Sequence, residues 1–133
     1  MGCKSFHSFC DGIENALIFI RERNGRRFGG FINKGWSSEG RWIYDSKAFL
    51  FSLEHYECYF YKNINTNGKI IYCDESYGPL FGDGYDLYIS DNCLSEKSQS
   101  KQSSFDYKGK ANALCGGTNF NVEYYEIYQI TLI

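Results

Sequence analysis

The sequence predicts a mainly β (α+β) domain, an antiparallel β-sandwich with one or two short helices. Three observations carry that expectation. Aromatic residues make up 19% of the 133 positions, with 12 Tyr and 11 Phe, and such residues favour pleated sheets. Only one proline occurs, and Asn24-Gly25 stands between two β-rich runs as a hairpin signal. Further turn residues punctuate the chain at short intervals, the spacing of a sandwich. A chain of this length makes one domain with a sizeable core. Its net charge of −2 gives no basic footprint for nucleic acid. No apolar run reaches membrane-spanning length, and the first residues lack the apolar core of a signal peptide.

The start, MGCKSF, departs from the myristoylation pattern, because Phe6 stands where Ser or Thr is needed; no lipid anchor is expected. Lys4–Ile13 predicts a short helix ending near Gly12. Cys3, His7 and Cys10 bring three zinc-ligand types where a structural site needs four, so no metal is expected. Ala16–Arg23 is a strand without polar alternation, which predicts cover on both faces. Asn24-Gly25 then predicts a two-residue type I′ loop, setting Arg23 opposite Arg26 and Glu22 opposite Arg27. The Arg23 and Arg26 pair reads either as a solvated hairpin end or as a contact for an anionic partner.

Lys34–Ser46 reads as a loop holding Trp36 and Trp42. They either cap a sandwich edge or, exposed, form a partner-binding patch. Lys47–Leu53 and Cys58–Lys62 read as strands, and Asn65–Gly68 as the turn of a second hairpin into Lys69–Cys73. Tyr77–Cys93 is the stretch around which the chain is organised. It holds Pro79 and the Gly82-Asp83-Gly84 turn, followed by the strand-like run Asp86–Ile89. Gly82 or Gly84 is expected to take a positive φ or to lie against another strand. Asp83, Asp86 and Asp91 do not have calcium-loop spacing. Leu94–Asn112 reads as a surface loop anchored by Phe105 and Tyr107, and Gly116-Gly117 as the entry to the last strand. Strict alternation over Phe120–Ile130 places Glu126 on the apolar face, hydrogen-bonded to the backbone of Gly82–Gly84 or Gly116-Gly117. A β-bulge near Tyr125 would reverse that and expose it.

The six cysteines form no C-x-x-C pair, and with no secretory signal they read as reduced thiols in the cytoplasm. The two histidines, His7 and His55, stand in no nucleophile–base–orienter arrangement. The expectation is a non-catalytic protein without a cofactor.

The run GPLFGDGYDLYI, from Gly78 to Ile89, resembles the central motif of the TLDc (TBC/LysM-associated) domain of oxidation-resistance proteins and many protist proteins. FHSFCDG, ALIFIRERNGRRFGGF, AFLFSL and FNVEYYEIYQI resemble its other segments in the right order. Asp83 stands where the family often has glycine, and Tyr85 where many relatives have histidine. The expectation is one TLDc-like domain over residues 1–133, lacking the family's N-terminal helix and first strand. The resemblance implies a sandwich that acts as a protein-interaction module in oxidative-stress protection. It also implies binding and regulation of the vacuolar proton-pumping ATPase, from the cytoplasm or the periphery of endolysosomal membranes. It marks Gly82, Asp83, Gly84, Asp86, Glu126, Gly116 and Gly117 as the motif positions. Two other readings stand beside it. One is a thiol antioxidant acting through exposed Cys93 and Cys115. The other is a small-ligand sandwich using Trp36, Trp42 and the Asp-rich loop.

Overall fold

The structure is a computed structural model that describes residues 3–54, 57–64, 68–74, 77–90, 98–101, 103–108, 114–115 and 119–131, without the side chains of residues 3–5 and 54. One helix, α1 (Cys3–Cys10), precedes strands β1 (Ala16–Glu22), β2 (Arg27–Ile32), β3 (Glu39–Ile43), β4 (Phe49–Glu54), β5 (Glu57–Lys62) and β6 (Ile71–Asp74). The two-residue strands β7 (Leu80–Phe81), β8 (Leu87–Tyr88), β9 (Ser98–Gln99) and β10 (Asn119–Phe120) follow, then β11 (Val122–Gln129). They form two antiparallel sheets, ordered β11-β1-β2-β4-β5 and β10-β9-β8-β7-β6-β3. The β-sandwich expected from the sequence is therefore present, with a single short helix among the described residues.

The core lies between the sheets. Ala16, Ile18, Ile20, Phe28, Ile32, Leu50 and Tyr61 come from the first sheet, all at 3% exposure or less, and meet Ile71, Cys73, Phe81 and Leu87 from the second. Helix α1 adds Phe6 and Cys10 from one face. A run of edge-on aromatic contacts crosses the core, Phe6 to Trp36 at 5.1 Å, Trp36 to Phe81 at 5.5 Å and Phe81 to Phe105 at 6.3 Å, and Phe28 of the first sheet meets Phe120 of the second edge-on at 5.0 Å. Each fully buried ring contributes about 2–3 kcal/mol through area removed from water. Phe81 reaches the first sheet because β2 carries Gly30 beneath it: a Cβ there would come within 2.6 Å of the ring.

Several local expectations differ from the fold. The first hairpin has a three-residue loop, Arg23-Asn24-Gly25, so Arg21 pairs with Arg27, and the Glu22 amide bonds the Arg26 carbonyl at 2.8 Å. Gly25 takes φ 94°, the left-handed residue that closes such a loop with a bulge, and no type I′ turn forms. Lys34–Ser46 is not all loop, since β3 runs through it. Its connection is pinned by buried Asp45, which accepts the amides of Asn33, Lys34 and Lys47 at 2.7–3.0 Å. β5 and β6 lie in different sheets, so Asn65–Gly68 does not close a hairpin; β5 pairs with β4 instead. Leu94–Asn112 is not merely surface loop either, because β9 lies in it and Ser98, Ser104, Phe105 and Tyr107 are buried.

β11 departs furthest from simple alternation. Arg21 pairs with Tyr124 but Glu22 pairs with Val122, so Glu123 is an extra residue in a bulge. Phe120 and Val122 face the core before it, and Tyr125 and Ile127 after it. Glu126 is consequently exposed, accepting a 2.6 Å bond from the Tyr128 hydroxyl, and is not the buried carboxylate that alternation predicts.

The close fit of Phe81 over Gly30 can be tested by substitution. Gly30→Ala should destabilise the fold by about 1–3 kcal/mol through overpacking. Phe81→Leu in the same chain should recover part of that loss, so thermal melts of the two single variants and the double variant should show non-additivity. Additive losses would place Phe81 elsewhere.

Candidate functional site

The β7–β8 turn, Gly82 to Asp86, is built around a carboxylate. Asp86 has no exposed surface. Its Oδ2 accepts the amides of Ser103 at 2.8 Å and Phe105 at 2.9 Å, and its Oδ1 accepts the Ser104 amide at 2.8 Å. The Tyr107 hydroxyl donates to the Asp86 carbonyl at 2.7 Å, and the Lys101 amide to the Tyr85 carbonyl at 3.2 Å. The turn thus forms one body with Lys101 and residues 103–107. Gly82 takes φ 86°, and a Cβ on it would fall 1.9 Å from Asp86 Oδ1, so no side chain fits there. Gly84 has no positive φ, but it lies so close to Ser103 that a Cβ would come within 2.5 Å of that side chain. Asp83 donates its amide to Ser104 Oγ at 3.1 Å. Burial pushes the Asp86 carboxyl up to about 6 against the pull of its amide donors, which favour the carboxylate.

What this body holds in place is a patch of aromatic side chains on the outer face of the second sheet. Tyr85 sits at φ 65°, a left-handed conformation that a bulky residue adopts only when its surroundings enforce it. With Trp42, Tyr72, Tyr77 and Leu80 it lines an open pocket of about 230 Å³. Trp42 and Tyr72 are cross-strand partners with ring centroids 5.1 Å apart, and Tyr77 meets Tyr72 edge-on at 5.2 Å. Tyr88 backs the group, 5.9 Å from Tyr77 and 5.2 Å from Tyr85. The Tyr72 hydroxyl donates to Asp74 at 3.2 Å. Burial and then that carboxylate raise the Tyr72 hydroxyl pKa, while burial and neighbouring Tyr77 raise that of Tyr85. His7 ties α1 to the same region by donating from Nε2 to the Tyr77 carbonyl at 2.8 Å.

A second surface lies on the opposite side of the sandwich. The register of the first sheet puts Leu17, Phe19, Phe31, Phe49, Phe60 and Tyr128 on its outer face. Phe49 packs against Phe31 at 5.1 Å and Phe60 at 5.4 Å. Phe60 remains 51% exposed and Tyr128 47%. The cover expected on both faces of β1 is complete only on the core side: Leu17 and Phe19 are half-buried. A third, apolar groove of about 370 Å³ lies between α1 and β11, lined by Phe9, Ile13, Ile127 and Gln129.

The structure separates the residues singled out from the sequence. Gly82, Asp83, Gly84 and Asp86 come together, whereas Glu126 stands on the outer face of β11. Gly116 and Gly117 lie outside the described residues, as does Cys93. Trp36 is not part of a partner surface, because it is 1% exposed in the core; Trp42 is half-buried at the aromatic pocket. Arg23, in the first hairpin loop, and Arg26, just after it, are exposed at the end of the first sheet, whereas Trp42 belongs to the second. Cys115 is buried rather than exposed. Burial raises the Cys10 thiol pKa to about 12 and also raises those of Cys73 and Cys58, the opposite of an activated thiol. Among the described residues no three His, Cys, Asp or Glu side chains converge as a metal site. Sequence reasoning missed Tyr72, Tyr77 and Asp74. Their only signal was a Tyr-x-Asp pattern at the end of β6 and a Tyr-Gly-Pro pattern just before β7.

The model of the TLDc domain family matches residues 1–131 of the chain. No curated protein matches it.

Asp86 should give a pH signature. Its carboxyl lies near 6 folded against about 3.8 ordinarily, so folding takes up a proton between those values. Stability contributed by this group is therefore fullest below about pH 4 and falls as pH rises through 6. Asp86→Asn should be less stable at neutral pH by about 1–3 kcal/mol, since its amide group opposes the N–H donors. The gap should widen by about 2–3 kcal/mol on acidification to pH 4. Denaturant melts across that range check this, and a gap independent of pH would contradict it.

Proposed function

The chain belongs to the TLDc domain family, and from that premise we propose that it is a non-catalytic protein-interaction module serving oxidative-stress protection. The observation that carries the reading is the outer face of the first sheet. Leu17, Phe19, Phe31, Phe49, Phe60 and Tyr128 form a continuous apolar surface there, where antiparallel sheets facing water ordinarily alternate to polar residues. Surfaces of that kind mark sites of protein contact. The buried groups support a binding role in place of catalysis. Asp86 is wrapped by backbone amides, and both ring nitrogens of His7 are engaged, by the Asp11 carboxylate at 2.6 Å and the Tyr77 carbonyl. The thiol-antioxidant alternative gains no support from Cys10, Cys58, Cys73 or Cys115.

The partner class we propose is the peripheral-stalk or catalytic subunits of the vacuolar proton-pumping ATPase, met from the cytoplasm at endolysosomal membranes. No helix among the described residues is long and apolar enough to cross a membrane, in keeping with a peripheral encounter. The test is affinity capture from native cytosol with the wild type and Phe60→Glu. This substitution changes a half-exposed ring and should leave the melting temperature within a few degrees. Capture of pump subunits by the wild type and their loss with Phe60→Glu is the expected result. Equal capture by both would remove the apolar face from the interaction, and capture of other proteins alone would remove the pump.

A further inference from the structure

β11 is the outermost strand of the first sheet, and among the described residues no strand adds to its free edge. Beyond the bulge at Glu123 its ladder with β1 is regular from Tyr124 to Gln129. Ile130 donates its amide to the Asn15 carbonyl at 2.8 Å in line with that ladder. Antiparallel bonding alternates along a strand, so Ile127 and Gln129 turn their N–H and C=O groups away from β1. The opposite edge, β5, is closed at its end, where the Asp106 amide bonds the Lys62 carbonyl and the Ile64 amide bonds the Ser104 carbonyl. β11 has no such closure, and it carries neither the lysine nor the proline that ordinarily blunts an edge.

The apolar groove of about 370 Å³ runs beside those outward groups. Phe9, 67% exposed, and Ile13 form its helix side, and Ile127 and Gln129 its strand side. A strand laid along the edge would send alternate side chains to the face of Ile127, where the groove receives them. Its remaining side chains would stand on the outer face with Tyr124, Glu126 and Tyr128, all exposed. Charge selects what those side chains are. Glu126 accepts the Tyr128 hydroxyl and meets no cation among the described residues, and Arg21, the one cation of β1, is held by Glu123 at 3.1 Å. A residue directly across from Glu126 is favoured when it is positive. A second copy of β11 would bring no lysine or arginine to that position, only carboxylates and rings.

We infer that β11 takes up an extended segment of a partner protein as an added strand, with apolar side chains of the segment in the groove beside α1 and a lysine or arginine opposite Glu126. Main-chain bonds to Ile127 and Gln129 hold the segment, and the groove and the carboxylate select it. The inference rests on the reading of the domain as a protein-interaction module. It uses the β11 edge, however, and Phe60 lies on β5 at the other end of the sheet. The two contacts therefore fail separately.

The test is a nuclear magnetic resonance titration of the full chain with two capped hexapeptides, Lys-Val-Lys-Val-Lys-Val and Glu-Val-Glu-Val-Glu-Val. The lysine peptide should cause saturable shifts of the Ile127 and Gln129 amides and the Phe9 ring in the millimolar range. The glutamate peptide should bind about tenfold more weakly, and Glu126→Lys should reverse that order. Gln129→Pro removes one outward N–H and no bond to β1, a change that edge strands accept. Its melting temperature should stay within a few degrees of the wild type while affinity for the lysine peptide falls about tenfold. Phe60→Glu should bind the peptide as the wild type does. Absence of saturable shifts at Ile127 and Gln129 would overturn the inference, and undiminished binding by Gln129→Pro would overturn strand addition. Equal binding of the two peptides would overturn the basic character of the segment. A wild-type dimer in sedimentation that Gln129→Pro abolishes would give the edge to a second copy instead.

Discussion

The second sheet depends on a single buried carboxylate. Its strands β7, β8, β9 and β10 are two residues each, too short to hold together by ladder hydrogen bonds alone. Asp86 replaces the missing ladder. One side chain gathers three consecutive amides from a segment 17 to 19 positions away, and the same residue's carbonyl receives the Tyr107 hydroxyl. A buried charge is tolerated only when its lone pairs are satisfied, and here the donors are backbone groups that would themselves be costly to bury unpaired. Each need answers the other. Asp45 repeats the device at smaller scale, tying the β3–β4 connection to the β2–β3 connection by collecting amides from Asn33, Lys34 and Lys47.

This arrangement divides the molecule by mechanical role. The first sheet has longer strands, interrupted by the bulge at Glu123, and its stability comes from side chains such as Ile18, Ile20, Phe28 and Leu50. The second is a set of short segments organised by polar contacts and by the rings of Phe81, Phe105 and Tyr107. A sheet assembled in this way can carry an irregular outer surface, because its side chains need not follow a long pleat. The four tyrosines and the tryptophan on that side come from β3, β6, β8 and the two connections around β7. Their convergence depends on the turn that Asp86 fixes.

The sequence was legible where one local force dominates. Gly82 and Gly84 announced a tight turn because only glycine fits so close to Asp86 and Ser103. The hairpin after β1 was visible in Asn24-Gly25, although the loop length was not: a three-residue bulged loop and a two-residue turn accept the same residue pair, and the register of Ile20 against Phe28 decides between them. The burial of Trp36 was hidden because it depends on Phe6 and Phe81, far away in sequence. Glu126 was misplaced because period-two reasoning assumes an unbroken ladder. The role expected of Glu126, a buried carboxylate held by backbone amides, falls to Asp86, and the amides are those of Ser103, Ser104 and Phe105. Nothing in the spacing of two acidic residues told which would be inside. The Tyr72 and Tyr77 pair was missed because an outer face built by several strands leaves no periodic trace in any one of them.

The extra residue at Glu123 gives β11 two phases. Up to Val122 its even-numbered positions look inward, and from Tyr125 its odd-numbered ones do. Any alignment that slides this segment by matching alternating apolar letters will superpose interior positions on exterior ones over half its length without disturbing the similarity score much. Comparisons of chains through this strand therefore need to be anchored at both ends, at Val122 opposite Glu22 and at Ile127 opposite Ile18. The glutamate that follows Tyr125 then belongs to the solvent column, next to Tyr124 and Tyr128, and its substitutions report on the outside of the sandwich.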